Sequence, residues 1–240
     1  MANSVEISSV GARVRVAFET TAGIRPTFGY CDIPDVNEAP AQDLSVETID
    51  ASNISDYVTR YIDGRQDPGG DQSFTLNHTE RSIDFWNELV NQAETKLANN
   101  YRLWFEYWFP GAKKSYFWAG KPKALGTSGI AQNELDTIPA HVVLSDWEGW
   151  TTKSGIAAEQ MYVSVAVSGT VVVNVYDYLP AGTITPTSGD NTKATASAGT
   201  AFTKKGVTYT PITISGVATG STTISVSDGT NTVIINVVVA

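Results

Sequence analysis

Cysteine, histidine and methionine are almost absent: one Cys, two His and two Met in 240 residues. The lone Cys31 rules out an intrachain disulfide, so the fold does not depend on an oxidising compartment. Neither His78 nor His141 sits in an HExxH or HxxEH spacing, which leaves a zinc centre without support. The sequence has no GxSxG elbow, no GxxxxGK[ST] loop and no GxGxxG turn. No apolar run approaches the roughly 18 residues that a membrane-spanning helix needs, so no membrane insertion is expected. Residues 1–10 (MANSVEISSV) lack a basic n-region and an apolar h-region, and no signal peptide is expected. Bases are scarce too, with 16 Lys and Arg against 25 Asp and Glu and a net charge of −9. Gripping nucleic acid requires Lys/Arg clusters on phosphates, so that role is disfavoured. An acidic wall around passing DNA remains compatible with this charge, as does plain solubility.

What the chain does have is a step in composition. Residues 1–178 hold all six Trp and 36 of the 41 charged residues, whereas residues 179–240 hold 15 Thr and five charges. This predicts two domains: a charged, aromatic-rich body at 1–178 and a Thr/Gly/Val-rich β module at 179–240. A 62-residue module is marginal by itself and must rely on efficient strand pairing. Its removal is expected to leave the body and any assembly intact.

Alternation predicts a half-buried strand within residues 5–19, with Val14, Val16 and Phe18 on one face and Arg13, Arg15 and Glu19 on the other. Residues 20–41 read as irregular, broken by Pro26, Pro34 and Pro40. A strand at 44–50 turns Leu44, Val46 and Thr48 inward, and 73–79 forms another. Between them, 51–72 is a long polar stretch ending in Asp-Pro-Gly-Gly-Asp, a turn signal; irregular segments of this length are often functional. Phe85, Trp86, Leu89, Val90, Ala93 and Leu97 form an apolar stripe that predicts a helix over 82–98, capped by Ser82 and ended by Asn99-Asn100. Further strands are expected at 101–109, 115–124, 140–150 and 160–178, then at 207–214, 221–227 and 232–239, with Asp228-Gly229 as a hairpin turn. Residues 179–190 read as a linker running into the module, whose pattern fits a small Greek-key sandwich.

Candidate chemistry is sparse. A nucleophilic Cys31 needs a neighbouring base, and a buried structural thiol is the simpler reading. Asp56, Asp63, Asp67 and Asp71 cluster, but a calcium loop wants regularly spaced oxygens, and Arg65 stands where a second acid should. Solvent or interface charge, with Arg60 and Arg65 as partners across a subunit contact, is the alternative. Tyr101, Trp104, Phe105, Tyr107, Trp108, Phe109, Tyr116, Phe117 and Trp118 form either a sugar-stacking platform, making the chain a carbohydrate-binding two-domain β protein, or core and interface packing. Paired carboxylates of a hydrolase would come from Glu106, Asp136, Asp146 and Glu148, whose spatial separation the sequence does not give.

The order of phrases in one segment resembles the major tail tube proteins of long-tailed, siphovirus-type bacteriophages. Thr48-Ile49-Asp50-Ala51-Ser52 is similar to that family's T-I-D-x-[ST] strand, Tyr61 to Gly69 to its Y-I-x-G-x-x-D-x-G phrase, and Ser73-Phe74-Thr75-Leu76-Asn77 to its S-F-T-x-N strand before a helix. Ala51, where the family often carries Thr, and the bulky Phe/Trp content of 101–118 depart from the pattern. The likeness is strongest over 44–98 and extends over 1–178, where VSVAVSGTVVV is similar to the family's closing strand. Residues 179–240 resemble the immunoglobulin-like domains that some of these proteins carry outside the tube.

The resemblance implies a mainly β fold: a tail-tube sandwich or barrel with one flanking helix, plus an Ig-like C-terminal decoration domain. It implies a non-enzymatic virion protein without cofactor or metal, assembled in the host cytoplasm as homo-hexameric rings stacked into a hollow tube. Viral DNA would pass through the lumen without specific binding. Tail tip, tape-measure and terminator proteins would be partners, and the outer domain would touch bacterial surface glycans or act as passive decoration. The subunit and ring-stacking interface falls on Asp50, Ser52, Asp56, Tyr57, Arg60, Tyr61, Asp63, Arg65, Asp67 and Asp71, in a loop that would order on assembly.

Overall fold

A computed structural model describes residues 11–42, 45–67, 70–110, 112–129, 135–177, 182–204 and 207–240; the side chains of 45–47 and 65–67 lie outside it. The expectations for Leu44, for the Val46 side chain, for residues 5–10 of the first strand and for the 179–181 part of the linker therefore fall outside the described residues. The fold is mainly β, and among the described residues there is one helix, there are several sheets, and no sheet closes into a barrel.

The first strands are β1 (Arg13–Phe18), β2 (Tyr30–Asp32), β3 (Val36–Glu38), β4 (Ser45–Asp50), β5 (Tyr61–Asp67) and β6 (Asp71–Asn77). Helix α1 (Glu80–Ala98) follows, then β7 (Leu103–Trp108), β8 (Lys114–Pro122), β9 (Thr137–Thr152), β10 (Ala157–Ala158), β11 (Tyr162–Val165) and β12 (Thr170–Asp177). The chain ends with β13 (Thr185–Ser188), β14 (Ala194–Ala198), β15 (Phe202–Lys204), β16 (Val207–Gly216), β17 (Gly220–Ser227) and β18 (Thr232–Val239). One 12-stranded sheet runs β14-β16-β12-β10-β2-β1-β7-β8-β9-β6-β3, with β15 also on β16; a second runs β11-β18-β17-β13; β4 and β5 pair only with each other.

Several expectations are corrected by this arrangement. Residues 20–41 contain β2 and β3, which at three residues each are too short to leave a periodic signal between prolines. The 51–72 stretch is not irregular throughout: β5 fills 61–67 and β6 begins at Asp71. The helix is capped by Thr79, whose side chain accepts from the Ser82 N–H, and Ser82 is the N3 partner of a capping box. The 160–178 run splits between two sheets at a turn where Ser168 takes φ 63°, sending β11 to the small sheet and β12 to the large one.

Three apolar clusters hold the layers. The first packs α1 (Phe85, Trp86, Leu89) against Val16, Phe74, Phe105 and Trp118. The second lies between the two sheets and combines Val163, Val165, Val173 and Val175 with Ile212, Ile214, Ile224, Ile235 and Val237. The third (Ala17, Trp104, Trp108, Tyr176, Tyr209) joins them. The composition step at residue 178 therefore falls between strands in direct pairing: β12 pairs along its whole length with β16, from Thr170↔Ser215 to Asp177↔Thr208.

The large sheet must curl. Tyr176 on β12 and Trp108 on β7 are four strand spacings apart in sheet order, about 19 Å if flat, yet their ring centroids are 5.8 Å apart. Beyond Val143, where β6 stops pairing, β9 continues to Thr152 with one edge bare of named strands. That stretch shifts register against β8 twice, and Gly149 takes φ 76°. Bulges of this kind keep an edge from pairing with other chains.

Candidate functional site

The hairpin of β4 and β5 stands off both larger sheets and is the main feature without an intramolecular role. Its strands are antiparallel, with Thr48↔Asp63, Ile49↔Ile62 and Asp50↔Tyr61 directly opposite. A two-stranded hairpin with nothing packed on it is at best marginally stable in water. Thr48, expected inward, is exposed for the same reason: this arm has no core behind it.

The tip, residues 51–60, is shaped by its own polar groups. Asp50 Oδ1 accepts from the Ser52 N–H at 2.8 Å, Asp56 Oδ2 from the Asn53 N–H at 2.9 Å, and Ser52 Oγ from the Arg60 N–H at 2.9 Å. The Ala51 N–H donates to the Arg60 carbonyl at 2.8 Å, and Arg60 Nε lies 3.6 Å from Asp56 Oδ2. The Ser52 bonds hold the Asp50 carboxyl below its ordinary range. Of the predicted interface residues, Asp50, Ser52, Asp56 and Arg60 thus build the tip while staying exposed to solvent.

Large apolar groups are exposed as well. Ile54 and Tyr57 are fully exposed and Val58 is three-quarters exposed, while Tyr61, Ile62 and Ile49 are each more than half exposed along the strands. Tyr57 and Tyr61 were predicted; the Ile and Val residues were missed, because they are dispersed among polar neighbours and carry no periodic signal. Asp63 lies on β5 with an exposed side chain. Arg65 and Asp67 belong to the same strand, with side chains outside the described residues. Asp71 is not brought to this site. It belongs to β6, where Lys123 Nζ lies at 3.1 Å and His141 Nδ1 at 2.9 Å, and bonding to Lys123 and then His141 holds its carboxyl below the ordinary range.

The other candidates are dispersed. Trp104, Phe105, Trp108, Tyr116, Phe117 and Trp118 are buried, with Phe105 and Trp118 stacked at 4.3 Å, so these rings form core and cannot offer a sugar platform. Each candidate hydrolase carboxylate is paired with a different cationic or imidazole partner: Glu106 with Arg15, Asp136 with His78, Asp146 with Arg102 and Glu148 with Arg25. Cys31 is buried and burial raises its thiol pKa well above the usual value. Among the described residues no group of three or more His, Cys, Asp or Glu side chains could hold a metal ion.

A second polar constellation was misread from sequence. Arg15 and Glu19, on the polar face of β1, are each only 1% exposed. Arg15 Nε donates to the Tyr176 hydroxyl at 2.8 Å, Nη1 donates to Ser154 Oγ at 3.2 Å and lies 3.4 Å from Glu106 Oε2. Its guanidinium lies 4.3 Å from the Trp108 ring centre and 4.5 Å from that of Tyr176. Arg13 pairs with Asp32, donates to the Tyr209 hydroxyl at 2.9 Å and lies 3.4 Å from Glu159 Oε1. The Tyr176 hydroxyl donates to Asp32, and Asn174 Nδ2 to Glu159 Oε2 at 2.9 Å. Burial opposes the Arg15 charge, but the Tyr176, Glu106 and Asp32 oxygens outweigh it and raise its pKa. Lys153, stacked 4.2 Å over Trp108, goes the other way: burial and then Arg15 lower it to about 8.

No family model matches the chain, and no curated protein matches it. Among solved structures, it is similar to S-layer protein SbsC domains 4 and 5 at 24% identity, covering 53% of this chain and 65% of that one, with a TM-score of 0.30. It is similar to a chain of the anti-feeding prophage baseplate at 9% identity, covering 62% of this chain and 96% of that one, with a TM-score of 0.38. A longer S-layer structure, SbsC residues 31–844, gives 18% identity and a TM-score of 0.30, and this chain spans 28% of it. TM-scores of this size define no shared overall fold.

Proposed function

We propose that the protein is a structural assembly subunit that polymerises through its β4–β5 arm, without catalysis. One observation carries this reading: a projecting two-stranded hairpin whose polar residues fold its own tip while Ile54, Tyr57 and Val58 face solvent. Apolar side chains on an element too small to be stable alone mark a surface that is completed by a partner. A head-to-tail contact of an arm with a different surface of the next copy does not close on itself and produces an open stack. The bulged bare edge of β9 directs this growth to the arm by discouraging uncontrolled strand pairing.

The finer reading follows from the resemblance in residues 44–98: hexameric rings stacked into a phage tail tube, with an acidic chain repelling the DNA that passes. Tail tip, tape-measure and terminator proteins would bound the tube. The carbohydrate-binding reading is weakened, since Trp104, Phe105, Trp108, Tyr116, Phe117 and Trp118 of its proposed platform are core and Tyr101, Tyr107 and Phe109 are half-buried.

Negative-stain electron microscopy across rising concentration tests the assembly. The native chain is expected to give stacked rings or hollow tubes. The variant Ile54→Asp/Tyr57→Ala/Val58→Asp is expected to remain monomeric with an unchanged melting temperature. A native chain that stays monomeric at every concentration, or a variant that assembles as the native chain does, overturns the proposal.

A further inference from the structure

We infer that the seam around half-buried Arg13 and buried Arg15 is a positional lock, which holds the C-terminal end of the large sheet (β12 and β14–β16), with the strands β11, β17 and β18 that cover it, at one fixed angle to the end formed by β1, β7–β9 and α1. The seam joins segments far apart in sequence: Arg13 and Arg15 on β1, Asp32 on β2, Glu106 and Trp108 on β7, Ser154 and Glu159 in the segment after β9, Asn174 and Tyr176 on β12, and Tyr209 on β16. The two tyrosine hydroxyls are the crossing points. The Tyr176 hydroxyl accepts a hydrogen bond from Arg15 Nε–H and donates one to Asp32, and the Tyr209 hydroxyl accepts from Arg13.

The chemistry is directional in a way the surrounding core is not. Apolar side chains in the cluster that joins the two ends of the sheet, such as Ala17, Ala119, Ala157 and Val207, tolerate small slides, since apolar contact has no preferred direction. A planar guanidinium with its donors committed to fixed oxygens and its face on an aromatic ring is satisfied in one geometry. Charge is balanced as well: Arg13, Arg15 and Lys153 face Asp32, Glu106 and Glu159. A slide of the C-terminal sandwich would strand buried charge, which costs far more than a lost apolar contact. The C-terminal half is therefore carried rigidly, and whatever it presents on an assembly is presented at a set position.

Pulsed electron–electron resonance between spin labels reads this directly. Labels go on cysteines introduced at exposed Glu94 on α1 and exposed Val172 on β12; Cys31 is buried and stays unlabelled. The native background is expected to give one narrow distance distribution. Tyr176→Phe/Tyr209→Phe keeps both rings and removes only the two hydroxyls. It is expected to broaden the distribution and to speed amide exchange in β16–β18 by about tenfold or more, the loss of a hydrogen bond to a charged group. Arg15→Met, which takes the cationic partner from buried Glu106, should broaden it further; if that variant does not fold, the tyrosine pair still decides. A broad distribution in the native background, or one left narrow by the tyrosine pair, overturns the lock. Neither outcome touches the arm, whose assembly is scored separately by microscopy.

Discussion

The polar face of β1 and the apolar face of the arm are mirror cases. In β1, Arg13-Val14-Arg15-Val16 alternates as a half-exposed strand should, and Arg15 is nonetheless buried. In the arm, Thr48-Ile49-Asp50 alternates in the same manner, and Ile49 faces water. Period-2 alternation separates two faces of a strand but does not say what lies over each. β1 sits in the middle of a curled sheet and is covered on both sides; among the described residues the arm has one partner strand and leaves Ile49, Tyr61 and Ile62 exposed. The protein spends charge inside and hydrophobicity outside, which is the pattern expected where one region fixes shape and another seeks a partner.

The largest way to break this comparison is truncation after Asp177. It strips β12 of β16 and lays bare Val163, Val165, Val173 and Val175, so the fragment is expected to aggregate or unfold instead of surviving as a body without its decoration. A soluble fragment with native circular dichroism would show that residues 1–177 fold without β16. Next comes Arg15→Ala. Burial of Glu106 without its cationic partner is expected to cost about 3–5 kcal/mol in urea unfolding; a loss below about 1 kcal/mol would mean the seam is solvated.

The arm gives the opposite expectation. Replacing residues 51–60 by an Asn-Gly turn should change stability by no more than about 0.5 kcal/mol, because nothing packs on the tip, while abolishing assembly. A large stability loss would place the tip against the core. The smallest effect concerns Lys153. Its pKa is lowered to about 8 in the folded chain from an ordinary 10.5, so the unfolded state binds more protons between those values. Stability contributed by this group is complete above pH 10.5 and lost as pH falls through 8. Lys153→Met should flatten that slope by on the order of 1 kcal/mol, after allowance for its partial exposure. An identical pH profile in the variant would show an ordinary lysine.

Much of the local structure was legible beforehand. The helix stripe, the strands at 101–109 and 207–239, and the Asp228-Gly229 hairpin all follow from periodicity and turn chemistry. Asp228 Oδ1 accepts from the Thr230 and Asn231 N–H groups at 2.8 and 2.6 Å, and Gly229 takes φ 95°, which together explain why that pair turns the chain. The segment that forms the arm is distinctive in its wording and length, and its interface role is a proposal. Which of its residues would take that role was not legible, since Asp50, Ser52 and Asp56 are polar because they bond to their own backbone, and polarity alone does not separate that use from contact with a partner.

By itself the sequence determined the mainly β class, the single helix, the lack of any disulfide and a distinctive segment at 44–72. Short-range rules suffice for these, because periods, caps and turns act within a few residues. Only the tertiary structure decided that the composition step at 178 lies between paired strands, that Trp104, Phe105, Trp108, Tyr116, Phe117 and Trp118 are core, and that Arg15 meets Tyr176 across 161 residues of chain. Those outcomes depend on how a 12-stranded sheet curls and on which faces it covers, and packing of that kind is settled by contacts among residues distant in sequence.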